Sequence, residues 1–96
     1  MRLGALMSLV NEHLWEFPHT MTLKIMGAAD SPLEAVVTAI ISEHVHSFDP
    51  NEDLHTVPSS KGTFISVNAK VTVDNAEQVR AIYGALNSSP HVKVIF

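Results

Sequence analysis

The sequence predicts an α+β fold in which two helices cover one face of a four-stranded antiparallel sheet. Two segments alternate apolar and polar residues, and two others repeat apolar residues every three or four positions behind helix-start signals. No repeat, low-complexity tract or linker divides the 96 residues, a length that suits one domain.

The elements follow in order. Residues 1–15 form an N-terminal segment in which Leu6, Leu9, Val10, His13 and Leu14 have the spacing of a short amphipathic helix. Glu16-Phe17-Pro18 breaks it, because proline fixes its own φ and disfavours helix before it. Trp15 and Phe17 flank the entry to the first strand and are expected to pack at the edge of the core or as a staple. The domain proper is residues 16–96. From His19 to Met26, Met21, Leu23 and Ile25 share one strand face and Thr22, Lys24 and Met26 the other, with Gly27 as the end. Ser31-Pro32-Leu33-Glu34 then reads as a capping box with proline at the first helical position. Leu33, Val36, Val37, Ile40 and Ile41 supply the helix's apolar stripe, and the helix should stop near His46, before the turn Phe48-Asp49-Pro50-Asn51.

Leu54 to Val57 is a short strand, and Pro58-Ser59-Ser60-Lys61-Gly62 turns it. In the next strand Ile65, Val67, Ala69, Val71 and Val73 face one way and Phe64, Ser66, Asn68, Lys70 and Thr72 the other. Asp74-Asn75-Ala76-Glu77 is a second capping-box pattern, and Val79, Ile82, Tyr83 and Leu86 continue it as a helix. Val92, Val94 and Phe96 mark a last strand after Pro90. The order β-α-β-β-α-β is that of the split-βαβ, ferredoxin-like sandwich. Right-handed crossovers place both helices on the same sheet face and leave the other open.

Composition excludes several functions. With 46 % hydrophobic and 17 % charged residues, the chain is too apolar for disorder. Without cysteine it has no disulfide framework, no thiolate nucleophile and no Cys-based zinc or iron–sulfur site. A formal charge of −4 gives no global attraction for nucleic acid or an anionic membrane. Six protonated histidines added to −4 would give +2, so that charge reverses in mild acid; ordinary surface histidines are the favoured reading. The apolar run after Arg2 is short, no clean cleavage site follows, and no segment nears the roughly 20 apolar residues of a membrane span. A cytoplasmic protein is expected.

The open face is where chemistry is expected. Alternation sends Lys24, Lys70 and Lys93 away from the core, together with Phe64, Ser66 and Asn68. Lysine used for solubility accounts for such a face as well as binding does. An RNA-binding sheet stacks bases on paired aromatics, and here Phe64 alone qualifies. In the loop, the hydroxyls of Ser59 and Ser60, backbone N–H groups and the Lys61 ammonium suit a carboxylate or phosphate, although a plain hairpin turn explains the same residues. The loop lacks the glycine and Ser/Thr spacing of a Walker motif. No serine has a His–Asp pair at recognisable spacing, and His44 and His46 are two apart, which points them to different sides of a helix. No catalytic residue, metal site or cofactor is expected.

Leu14-Trp15-Glu16-Phe17-Pro18, Lys24-Ile25-Met26-Gly27, Pro58-Ser59-Ser60-Lys61-Gly62 with Ser66-Val67, and Glu77-Gln78-Val79 with Tyr83 together resemble the YbeD family of small bacterial proteins, long described as a domain of unknown function. The resemblance runs from about Leu9 to Phe96. Met21 departs from it where an aromatic is expected, Ile65 where histidine is common, and the acidic segment from Ser47 to Asp53 is slightly long. The family is similar in fold to the ACT regulatory domains, which bind amino acids, and its members are often labelled lipoic acid-binding regulatory proteins. The resemblance implies roles for Lys24, Gly27, Pro58, Ser59, Ser60, Lys61 and Gly62. The expected function is thus a non-enzymatic regulatory module that binds a small carboxylate or serves lipoate metabolism. The alternative is a protein-interaction module pairing through its sheet, as a homodimer or with a metabolic enzyme; RNA binding is a lesser one.

Overall fold

In the computed structural model the described residues are 16–96; the expected N-terminal helix and Trp15 lie outside them. The sheet has the order β2-β3-β1-β4, all neighbours antiparallel. Its strands are β1 (His19–Ala28), β2 (Leu54–Pro58), β3 (Phe64–Val73) and β4 (Val94–Ile95). Helices α1 (Leu33–His44) and α3 (Ala76–Ser88) complete the ferredoxin-like topology, with a single turn α2 (Pro50–Asp53) between α1 and β2.

Alternation sets the core. Ten consecutive pairs join β1 to β3, from His19↔Val73 to Ala28↔Phe64. Leu23 and Ile25 therefore face the helices beside Val67, Ala69, Val71 and Val73, and all six are buried. Leu33, Val37 and Ile41 of α1 and Val79, Ile82 and Leu86 of α3 meet them. Each such aliphatic side chain contributes about 1.5–3 kcal/mol when fully buried. Phe17 packs on the margin of this cluster, as expected of it.

Helix ends depart from the expected chemistry. Ser31 does not cap α1: its hydroxyl donates to the Ala28 carbonyl (2.6 Å), and α1 starts without a side-chain cap. Glu34 does not complete a capping box either, since its carboxylate accepts from Thr56 Oγ1 of β2 (2.9 Å). The helix ends at His44, two residues early, where Val45 turns extended and buries its side chain. The expected turn at Phe48–Asn51 tightens into α2, because the Asp49 carboxylate accepts from the Asn51 N–H and Pro50 sits at the first helical position.

The α3 cap is shifted by one residue from Asp74/Glu77. The Asn75 side chain accepts from the Gln78 N–H (2.8 Å), and the Gln78 side-chain Oε1 accepts from the Asp74 N–H (2.7 Å). Gln78 has a second duty that explains the shift. Its amide donates to the His44 carbonyl (2.7 Å), satisfying the end of α1 from the start of α3.

Two substitutions check this packing. A Cβ on Gly27 would lie 2.5 Å from the His91 carbonyl oxygen and 3.0 Å from Leu33 Cδ2. Gly27→Ala should then cost about 1–3 kcal/mol as overpacking, read as a lower urea midpoint. Tyr83 is buried at the α3–core boundary, and burial raises its phenol above the ordinary 10.0. The unfolded chain ionises first, so stability should fall as pH rises from about 10 through the folded value. Tyr83→Phe should flatten that part of the alkaline unfolding profile.

Candidate functional site: the open sheet face and its hairpin loop

Among the described residues no helix covers the second face of the sheet, and its side chains form rows set by the register. One row is Val57, Ser66, Met26 and Val94, crossing all four strands. The next is His55, Asn68, Lys24 and Phe96, the last joined to β1 by backbone bonds between Lys24 and Phe96. Phe64 and Ala28 lie on the loop side of these rows. Lys70 with Thr22, then Thr72 with Thr20, occupy the far end, where the two threonine hydroxyls are 2.8 Å apart.

The face is thus divided. Val57 (53 % exposed), Phe64 (41 %), Val94 (41 %) and Phe96 (62 %) are the exposed large hydrophobic residues among those described, and all four fall on its loop-side half. Lys24 extends over this half with its ammonium 5.7 Å from the Phe96 ring centre, a weak cation–π contact. The strands present Lys24 and His55 on this half and Lys70 beyond it, and no Asp or Glu on either half.

The last strand corrects the sequence expectation. Val94 and Phe96 turn outward and Ile95 is buried, so the core side of β4 is not the Val92-Val94-Phe96 set. Lys93 donates its N–H to the Met26 carbonyl (2.8 Å) while Val94 also pairs with Met26, so two residues oppose one, as in a β-bulge. Lys93 stands exposed at the margin of the face, just before β4.

The loop after β2 is a tight hairpin. Gly62 N–H donates to the Ser59 carbonyl (3.0 Å), and Ser59 N–H donates to the Phe64 carbonyl (2.8 Å). Phe64 N–H in turn donates to Ser59 Oγ (3.1 Å). Gly62 has φ 71°, the left-handed region that glycine enters without strain. Two of the N–H groups expected to face an anion, those of Ser59 and Gly62, are therefore held by the hairpin itself. Ser60 and Lys61 remain exposed, and a shallow recess of about 220 Å³ runs along Ser59, Ser60, Lys61, Thr63 and Phe64.

The residues singled out by the family pattern do not converge on one point. Gly27 is buried on the core side of β1, where its lack of a side chain admits His91 and Leu33. Lys24 is four strand residues from Ala28, the partner of Phe64, which is about 13 Å at 3.3 Å per residue. Pro58 ends β2 opposite Ile65. One small ligand can engage the loop or Lys24, but the register does not bring both to it.

The sequence reading missed a wide groove of about 780 Å³ between α1 and the β2 edge. Ala35, Thr38, Ala39 and Ser42 line it at helical spacing, a run of small residues that was legible as one face of α1. Glu34 and Thr56, joined by their hydrogen bond, are both among the residues that line it. Among the described residues no polar or charged side chain other than Tyr83 is buried, there or elsewhere. No group of three or more His, Asp or Glu in this set is arranged to hold a metal, and no helix is long and apolar enough to cross a membrane.

Comparison with known proteins places this arrangement in a family. A "UPF0250 protein" of Neisseria gonorrhoeae is 40 % identical over 85 residues, covering 85 % of this chain and 89 % of that protein. One of Paraburkholderia phytofirmans is 34 % identical over 89 residues, 93 % and 99 % of the two chains. One of Yersinia pestis is 35 % identical over 83 residues, 85 % and 91 %. The family profile described as "Protein of unknown function (DUF493)" matches residues 12–96. The chain belongs to this DUF493 family, the one its resemblance to the YbeD proteins indicated.

Proposed function

We propose that this domain is a non-enzymatic, regulatory binding module that engages a protein partner through the loop-side half of its open sheet face. One observation carries the reading: the exposed large hydrophobic side chains of the described residues gather on that half face. Scattered apolar residues need no explanation, whereas a contiguous set rimmed by cations marks an interaction surface. The fold positions this set without contributing any of its core to it, so the surface is separable from stability.

A second reading rests on the hairpin recess, which brings one ammonium, two serine hydroxyls and an aromatic ring together. That combination suits a small carboxylate with an apolar tail, the chemistry of lipoate.

Paired variants separate the two. Val57→Ser with Phe96→Ser should abolish retention of specific proteins from a cell extract by the immobilised domain, while Lys61→Ala retains them. Retention that survives the first pair and fails in the second would move the site to the loop. Titration with free lipoic acid tests the loop directly: amide shifts at Ser59, Ser60 and Lys61 that vanish in Lys61→Ala support it, and a silent spectrum removes that ligand.

A further inference from the structure

We infer that the partner presents an amphipathic helix whose apolar stripe is flanked by Asp and Glu. This rests on the open-face reading above and names what the face would take. The rows from Phe64 to Phe96 span about 13 Å along the strands and about 14 Å across four of them, from the standard strand rise and spacing. A helix of 5.4 Å pitch lays about two and a half turns on that area, enough for apolar residues at i, i+3, i+4 and i+7.

Helix rather than strand follows from backbone hydrogen bonding. The face offers side chains only, because the sheet's own N–H and C=O groups pair within the sheet plane. An extended segment laid across it would leave its backbone unsatisfied, at a cost per buried group that a helix avoids.

Acidic flanks follow from charge. Lys24 and Lys70 stand on the face, Lys61 and Lys93 at its margins, and the strands present no carboxylate among them. The chain's formal charge is −4, so this is a local reversal of its overall sign. Of the acids next to the strands, Asp53 and Asp74 fall beyond the ends of β2 and β3 at the threonine end, where Asp53 accepts from the Asp49 N–H, and Asp30 follows β1 in the exposed turn that leads to α1. Two copies meeting face to face would oppose Lys24 and Lys70 with their own kind, which argues against self-association here. Nucleic acid shares the charge preference, but the centre of the patch is aliphatic (Val57, Met26, Val94), and Phe64 and Phe96 are two rows apart rather than a stacking pair.

The test uses a synthetic helix of about 18 residues, long enough to be helical, with leucine at stripe positions and glutamate beside them. Its twin has lysine for each glutamate. Both are titrated into the whole isotope-labelled chain at fixed pH and low salt. The inference predicts shifts at Met26, Val57, Ser66 and Val94, at least fivefold tighter binding of the glutamate peptide, and loss of that margin at high salt. Lys24→Glu with Lys70→Glu should reverse the preference, and Lys70→Glu alone, away from the Phe96 contact, should narrow it. Equal affinity of the two peptides at the same residues overturns the acidic partner and leaves the face as a binding surface. Silence of the face toward both overturns the inference and the open-face reading together. Tighter binding of a single-stranded pyrimidine oligonucleotide at these residues, or concentration-dependent shifts there in the protein alone, overturns the inference in favour of RNA or a second copy.

Discussion

The uninterrupted pairing of β1 with β3 is the constraint on which the rest of the molecule depends. Over ten residues neither strand changes phase, so one register decision fixes which side chains face the helices and which face outward. A slip of β1 by one residue against β3 would send Leu23 and Ile25 to the solvent and bring Lys24 and Met26 into the core. With both crossovers on the same side, α1 and α3 take the apolar face. The outer face is then released from the demands of the core.

That release explains how an acidic chain carries a cationic and apolar surface. Apart from the Tyr83 phenol, the core among the described residues is built of aliphatic and aromatic side chains. The pattern residues split accordingly: Gly27 answers to packing against His91 and Leu33, and Gly62 to the left-handed turn. Ser59 closes the hairpin through Phe64. What remains exposed, Ser60, Lys61, Lys24 and the apolar rows, is what recognition has to work with.

The fold was legible because β1 and β3 alternate along their whole length and both helices repeat their stripes. The misses lie where a residue's duty is set by something distant. Asp74/Glu77 and Asn75/Gln78 are equally good caps in isolation, and the His44 carbonyl decides between them. Glu34 is drawn off its own helix end by Thr56, a residue of β2. In Val92-Lys93-Val94-Ile95-Phe96 apolar residues occupy both phases, so only pairing with Met26 and Ile25 fixes which side is inward. The candidate site was therefore half legible. Lys24, Ser66, Asn68 and Lys70 followed from alternation, while Val57, Val94 and Phe96, which make the patch, required the completed sheet.

The claim at the centre of this account is that the apolar half face is accessible in the protein by itself. Attenuation of methyl signals by a soluble paramagnetic chelate measures that directly. The account predicts strong attenuation for Val57, Met26 and Val94, with Val67, Val71 and Ile82 protected. Protection of Val57 and Val94 equal to that of the core would show the face already covered, and would contradict it.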